Sequence, residues 1–143
     1  MSALPPKIAE ILDDLSFFTE RDERIQALIS LGHKFVAHVP GGEDPYPESQ
    51  KVPGCESEVY AWVGLTESGG LDVKFAVRNP QGISAMALAE VLIQGLQGET
   101  PALAQDIPEC LAIDLFGECL SMGKSLGLTN MIRLVRAEAA KLA

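Results

Sequence analysis

Lys51-Val52-Pro53-Gly54-Cys55-Glu56-Ser57-Glu58-Val59 is the stretch of this chain with the most chemistry in it. A cysteine stands where a proline-rich segment gives way to alternating apolar residues, directly after a proline and a glycine. Gly54 lets a second backbone come close and takes dihedrals closed to other residues, and Pro53 stiffens the approach. Such an arrangement suits a thiol at a loop tip, able to enter the active site of another protein. Alone, a Gly-Cys pair is a weak signal, because free cysteine is among the most buried residue types and is usually inert packing. A reactive thiol must be available as thiolate. Glu56 and Glu58 flank Cys55, and negative charge nearby raises a thiol's pKa. Lys51 offsets them, as would basic groups on a docked partner. The balance favours a thiol that reacts when docked over a general-purpose catalyst.

The other candidates are thinner. If Cys110 and Cys119 share a helix, nine residues at about 100° each place them on opposite faces. They could not then hold one ion with Cys55, so core packing is the expectation for both and no metal site is expected. His33 and His38 have no nearby Cys, Asp or His at ligand spacing and read as surface or helix-end residues. Gly41-Gly42 is no phosphate loop, because the following Lys and Ser/Thr are absent. Tyr60 and Trp62 read as sheet residues, and Arg133 with Arg136 as a solvated helix face.

Several elements must position Cys55. Pro5-Pro6 suits the start of a first helix, in which Ile8, Ile11, Leu12 and Leu15 recur at helical spacing. Thr19 is expected to cap a second, with Glu20, Asp22 and Glu23 at its positive end and Gly32 near its close. Val39 to Pro53 reads as a loop, broken by repeated Pro and Gly and long enough to be functional. Val59, Ala61, Val63 and Leu65 alternate along one strand. Leu71, Val73, Phe75 and Val77 alternate along the next, with a polar outer face, and Ser68-Gly69-Gly70 turns between them.

The rest reads as helical. Leu88, Val91, Leu92 and Leu96 stripe a helix that runs to about Gln97. Thr100-Pro101 caps a short one, and Pro108 opens another that runs to about Leu120. Gly123 and Gly127 flank a turn. The last helix carries Met131, Ile132, Val135 and Leu142 on its apolar stripe, with Arg133, Arg136 and Lys141 toward its negative end. Helices, hairpin, helices is an α+β order, with helices packed on one face of a small antiparallel sheet.

The 143 residues suit one domain, and a chain of this length buries roughly two thirds of its unfolded surface without needing disulfides or metal. Twenty acidic against eleven basic residues give a net charge of −9. That excess opposes binding to nucleic acid or to an anionic membrane. It suits a partner with a basic patch, or simply keeps the protein in solution. Met1 to Pro6 lacks a basic region followed by an apolar one, so no secretory signal is expected, and no apolar stretch has the length to span a bilayer. Three widely spaced cysteines fit reduced thiols in a cytoplasm.

With these residues in place, the chain resembles the SufE family of sulfur acceptors, which includes the CsdE-like proteins. The family's Gly-Cys-x-Ser-x-Val segment is matched by Gly54-Cys55-Glu56-Ser57-Glu58-Val59, followed by Tyr60-Ala61-Trp62. Its Leu-Gly signature is matched by Leu31-Gly32 and its Thr-Pro by Thr100-Pro101. Its closing pattern is matched by Leu120-Ser121, Lys124, Gly127 and Met131-Ile132-Arg133. The matches run in order from about residue 5 to the C-terminus.

The resemblance implies a SufE/IscU-like fold and a pyridoxal-phosphate cysteine desulfurase as partner. It implies that Cys55 removes the outer sulfur of the desulfurase's persulfide, which activates that enzyme, and passes it on to an iron–sulfur scaffold. The chain would then be a carrier and activator rather than an enzyme, with no cofactor of its own. Lys51, Gly54, Glu56, Ser57, Glu58 and Lys124 are the expected partner contacts. Two departures bear on those contacts. Met122 and Lys124 stand where the family usually has a proline and an arginine, and lysine lacks the planar bidentate fork. Asn79-Pro80-Gln81-Gly82-Ile83-Ser84 has no acidic residue before the central helix, where many members carry one.

Three other functions compete. An IscU-like cluster scaffold needs several converging thiolates. A stand-alone thiol enzyme needs a base beside its nucleophile, and neither histidine is tied to Cys55 by sequence. A docking module with an inert Cys55 would stimulate a desulfurase without that thiol.

Overall fold

The computed structural model describes residues 4–35, 48–53, 58–77, 83–116 and 122–142, the side chains of 21, 48 and 122–125 apart. The elements are α1 (Pro6–Ser16), α2 (Arg21–Lys34), a 3₁₀ turn (Glu48–Gln50), β1 (Val59–Leu65), β2 (Leu71–Val77), α3 (Ile83–Leu96), a second 3₁₀ turn (Pro101–Asp106), α4 (Leu111–Phe116) and α5 (Met122–Ala140). This is the α+β arrangement expected, with α3 and α5 packed against a two-stranded sheet. Among the described residues no helix is long and apolar enough to cross a membrane.

β1 and β2 pair antiparallel, from Val59 opposite Val77 to Leu65 opposite Leu71. The register puts Val59, Ala61, Leu71, Val73 and Phe75 on the helix-covered face, all buried. They meet Leu88, Val91, Leu92 and Leu96 of α3 and Met131, Ile132 and Val135 of α5 in one core. The outer face of β2 was expected to be polar. Asp72 and Lys74 do pair there, Nζ to Oδ2 3.5 Å. However, Tyr60 and its cross-strand partner Ala76 are both buried, and Tyr60 stacks on Trp62 with ring centroids 6.3 Å apart.

An isolated hairpin is marginal in water, and its open edges invite mispairing. Both edges of this one are engaged. On the β2 side, Leu71 N–H donates to Glu99 O (2.7 Å) and Gly98 N–H to Leu71 O (2.8 Å). The Gln97 side chain extends this edge: its Oε1 accepts from Val73 N–H (2.9 Å) while its Nε2 donates to Asp72 Oδ1 (3.0 Å). On the β1 side, Lys51 bridges antiparallel to Tyr60.

Several sequence expectations need correction. Thr19 does not cap α2; Glu20 is the N-cap, in extended backbone and without a side-chain cap bond, while Asp22 and Glu23 occupy the first turn. Thr100 precedes its 3₁₀ turn without a side-chain cap bond. The helix expected from Pro108 begins at Leu111 and is described to Phe116. Gly123 and Gly127 flank no turn, because α5 runs through both. A glycine costs a helix about 1 kcal/mol relative to alanine, which tertiary packing of a 19-residue helix readily outweighs.

Arg24 of α2 reaches the last described turn of α4. Its Nε and Nη2 donate to Leu115 O (3.2 and 3.1 Å), and Nη2 donates also to Asp114 O. Hydrogen bonds from a charged guanidinium are stronger than those between neutral groups. Arg24→Ala is expected to lower stability by about 1–2 kcal/mol, read as a shift in the urea midpoint with unchanged m-value. A midpoint shift indistinguishable from zero would show that water serves those carbonyls equally well.

Candidate functional site

Cys55, Gly54, Glu56 and Ser57 lie outside the described residues. What the structure gives is the frame that holds their segment at both ends. Val52 N–H donates to Val59 O at 2.8 Å, and Lys51 pairs with Tyr60 one step further from the tip. The end of the expected Val39–Pro53 loop is therefore a short β partner for β1, and Cys55 falls in sequence between the bonded Val52 and Val59. Val52 is 1% exposed and belongs to the main core with Val59.

Of the expected contact residues, Lys51 is half-buried and Glu58 is exposed. Lys124 lies in the first turn of α5; its side chain is not among those described. A residue that the sequence reading did not single out joins the site. Asn130 of α5 donates from Nδ2 to Pro53 O at 2.8 Å, across 77 positions of sequence. Asparagine is a poor helix former. Its presence in the middle of a long helix was the one signal available.

The remaining candidates are placed differently from expectation. Cys110 is exposed rather than packed in the core; it precedes α4, and its Sγ lies 3.5 Å from Asp114 Oδ2. Desolvation raises its pKa, and the hydrogen bond and negative charge of Asp114 raise it further, which disfavours the thiolate. Asp114→Asn removes the charge, so it is expected to lower that pKa and speed alkylation of Cys110 at neutral pH. An unchanged rate–pH profile would count against the pairing. Cys119 and His38 lie outside the described residues, and His33 is exposed in the last turn of α2. Among the described residues no group of three His, Cys, Asp or Glu side chains is arranged to hold a metal.

Nor are Arg133 and Arg136 simply a solvated pair. Arg133 Nε donates to Glu109 Oε1 at 2.6 Å, and this bond is the main cause holding the Glu109 carboxyl below its usual range. Arg136 is half-buried, and its carbonyl accepts from Gln105 Nε2 at 2.8 Å. Together with Gln105, Glu109, Ala137 and Ala140, the two arginines line a shallow depression of about 250 Å³.

Comparison with known proteins places this frame in context. Residues 9–139 match the model of the SufE family, described as the Fe-S metabolism associated domain. An uncharacterised SufE-like protein of Rhizobium meliloti is 30% identical over 139 residues, which span 91% of this chain and 92% of that protein. An uncharacterised SufE-like protein of Synechocystis is 26% identical over 140 residues, 96% of this chain and 83% of that protein. The solution structure of a hypothetical protein from Thermus thermophilus has the same fold, with a TM-score of 0.79 over 98% of each chain at 21% identity.

Proposed function

This chain belongs to the SufE family, whose domain is associated with iron–sulfur metabolism, and from that premise we propose that it carries persulfide sulfur on Cys55. The donor is a pyridoxal-phosphate cysteine desulfurase. The Cys55 thiolate attacks the outer sulfur of the desulfurase's persulfide. The old S–S bond breaks, and its electron pair leaves on the desulfurase cysteine as a thiolate. A new S–S bond forms on Cys55, so the exchange needs no external oxidant or reductant. Clearing the persulfide frees the desulfurase for its next turnover, which makes the protein an activator. The loaded sulfur goes on to iron–sulfur cluster assembly.

The observation that supports this most directly is the closure of the Cys55 segment at Val52 and Val59. A thiol that must enter another protein's active site needs a short projecting segment on a rigid base, and a base built from core residues meets that need. Lys51, at that base, and Lys124, on α5, are the proposed partner contacts together with Gly54, Glu56, Ser57 and Glu58. The flanking glutamates disfavour the free thiolate, so docking against basic groups of the partner completes the activation.

The test is peptide mass spectrometry after incubation with a desulfurase and cysteine. One added sulfur is expected on the Cys55 peptide and none on the Cys110 or Cys119 peptides. A Cys55 peptide that stays unmodified while the desulfurase turns over would sink the carrier role.

A further inference from the structure

Both α1 and α2 pack on α3 while hardly touching each other. The space left between them is a groove of about 370 Å³. Ile11, Leu15 and Phe18 line it from the α1 side, Ala27 and Leu31 from α2, and Gln94 from α3. Phe17, next to Phe18, is 75% exposed, more than any other large apolar side chain among the described residues. Both phenylalanines stand on fixed backbone. Phe17 N–H donates to Asp14 O (3.3 Å) and Phe18 N–H to Leu15 O (3.1 Å), and Leu15 is buried in the core. Adjacent exposed aromatics beside an apolar groove, rimmed by polar groups, mark an interaction surface. The charge around the groove indicates what fits it. Asp13, Asp14, Glu20, Asp22 and Glu23 lie within five positions of the phenylalanine pair and are all exposed. Among the described residues none of them is in an ion pair. Arg24 is committed to the carbonyls of α4. Arg21, whose side chain is not described, and Lys34, which lines the groove, leave the carboxylates in excess. No basic residue stands in the last turn of α1, so the negative end of its dipole adds to them.

We infer that the α1–α2 groove is a docking site for a segment of a partner protein that carries large apolar side chains between lysines or arginines. The apolar side chains enter the groove beside Phe18. The flanking cations meet the carboxylates and the face of the Phe17 ring, which attracts cations. A second copy of this chain would bring the same negative rim, and an anionic membrane a negative surface, so both are repelled where a basic segment is drawn in. The groove shares no residue with the Val52–Val59 and Pro53–Asn130 bonds. The inference therefore goes beyond the carrier reading and stands independently of it.

The experiment titrates the full chain, labelled with ¹⁵N, with a synthetic peptide Lys-Lys-Leu-Leu-Lys-Lys and follows the amide resonances. A peptide with glutamate in place of every lysine is the control. Saturable shifts are expected at Ile11, Leu15, Phe18 and Leu31 with the lysine peptide and none with the glutamate peptide. Phe17→Ser, at an exposed position where folding is indifferent to the change, should weaken the binding about fivefold. Asp13→Asn combined with Asp14→Asn should weaken it too and reduce its dependence on salt. Absence of binding, shifts spread over the acidic surface instead of the groove, or equal binding of the glutamate peptide would overturn the inference. So would a Phe17→Ser variant that binds as tightly as wild type, because charge alone would then account for the contact. A dimer in sedimentation that Phe17→Ser dissociates would make the occupant a second copy, and Phe17-dependent binding to phosphatidylserine vesicles would make it a membrane; either result overturns the partner segment proposed.

Discussion

Cys55→Ser is expected to reduce stimulation of the desulfurase to the level seen with no partner present, while its binding stays within about twofold of wild type. The substitution exchanges one atom for a slightly smaller one and leaves the Val52–Val59 frame untouched, so docking should persist. Chemistry should not. A serine hydroxyl ionises far above neutral pH, attacks divalent sulfur poorly, and cannot hold a persulfide. The measurement is desulfurase turnover against protein concentration, with binding followed separately by calorimetry. Lost stimulation with retained binding makes Cys55 the acceptor. Retained stimulation would show that docking alone activates the desulfurase and that the thiol is idle.

Gly70→Ala should be the most damaging conservative change in the described sheet, at about 2–4 kcal/mol. A methyl at Gly70 would lie 2.5 Å from Gly98 O, 2.7 Å from its carbonyl carbon and 2.9 Å from its Cα. All three are backbone atoms, so no side chain can swing aside. Gly98 is itself held at φ +81° and bonded through its N–H to Leu71 O, with Leu71 N–H bonded on to Glu99 O. Relief requires the 98–99 segment to withdraw, and both bonds go with it. Gly64→Ala, in β1, is the control: nothing lies within 4 Å of its added methyl, so an effect within about 0.5 kcal/mol is expected. Urea unfolding of the two variants decides the matter, and equal losses would refute the close-approach argument.

Periodicity carried much of the fold because each element's core face is written locally. Leu71, Val73, Phe75 and Val77 alternate as a half-buried strand must. Leu88, Val91, Leu92 and Leu96 recur as one side of a helix must, and every one of these except the half-buried Val77 lies in the buried core. Pro6 starts α1 because its fixed φ suits the first turn and its missing N–H has no partner there to lose. Gly69, at φ +88°, sits in the hairpin turn where a glycine was expected. Punctuation was read less well. Gly123 and Gly127 look like breakers in the sequence, yet they lie inside α5, whose packing outweighs the local preference.

Pairing between distant segments was beyond the sequence. Lys51 and Val52 look like the tail of a proline-rich loop, and nothing in them names Val59 and Tyr60 as partners. Gln97 substituting for a strand edge, Arg24 reaching the carbonyls of α4 and Asn130 reaching Pro53 are hydrogen bonds across 24 to 91 positions. Polar side chains of this kind carry no periodic signal, because their partners are single carbonyls and amides that only the assembled chain brings near. The same reason explains Cys110, expected in the core from its residue type and found exposed beside Asp114. The sequence by itself singled out Cys55 as the candidate acceptor, through the motif around it, and marked the core faces of β2 and α3, since motif and apolar spacing are local properties. Only the tertiary structure decided what Val52 and Pro53 bond to, because their partners, Val59 and Asn130, become their neighbours when β1 and α5 pack around one core.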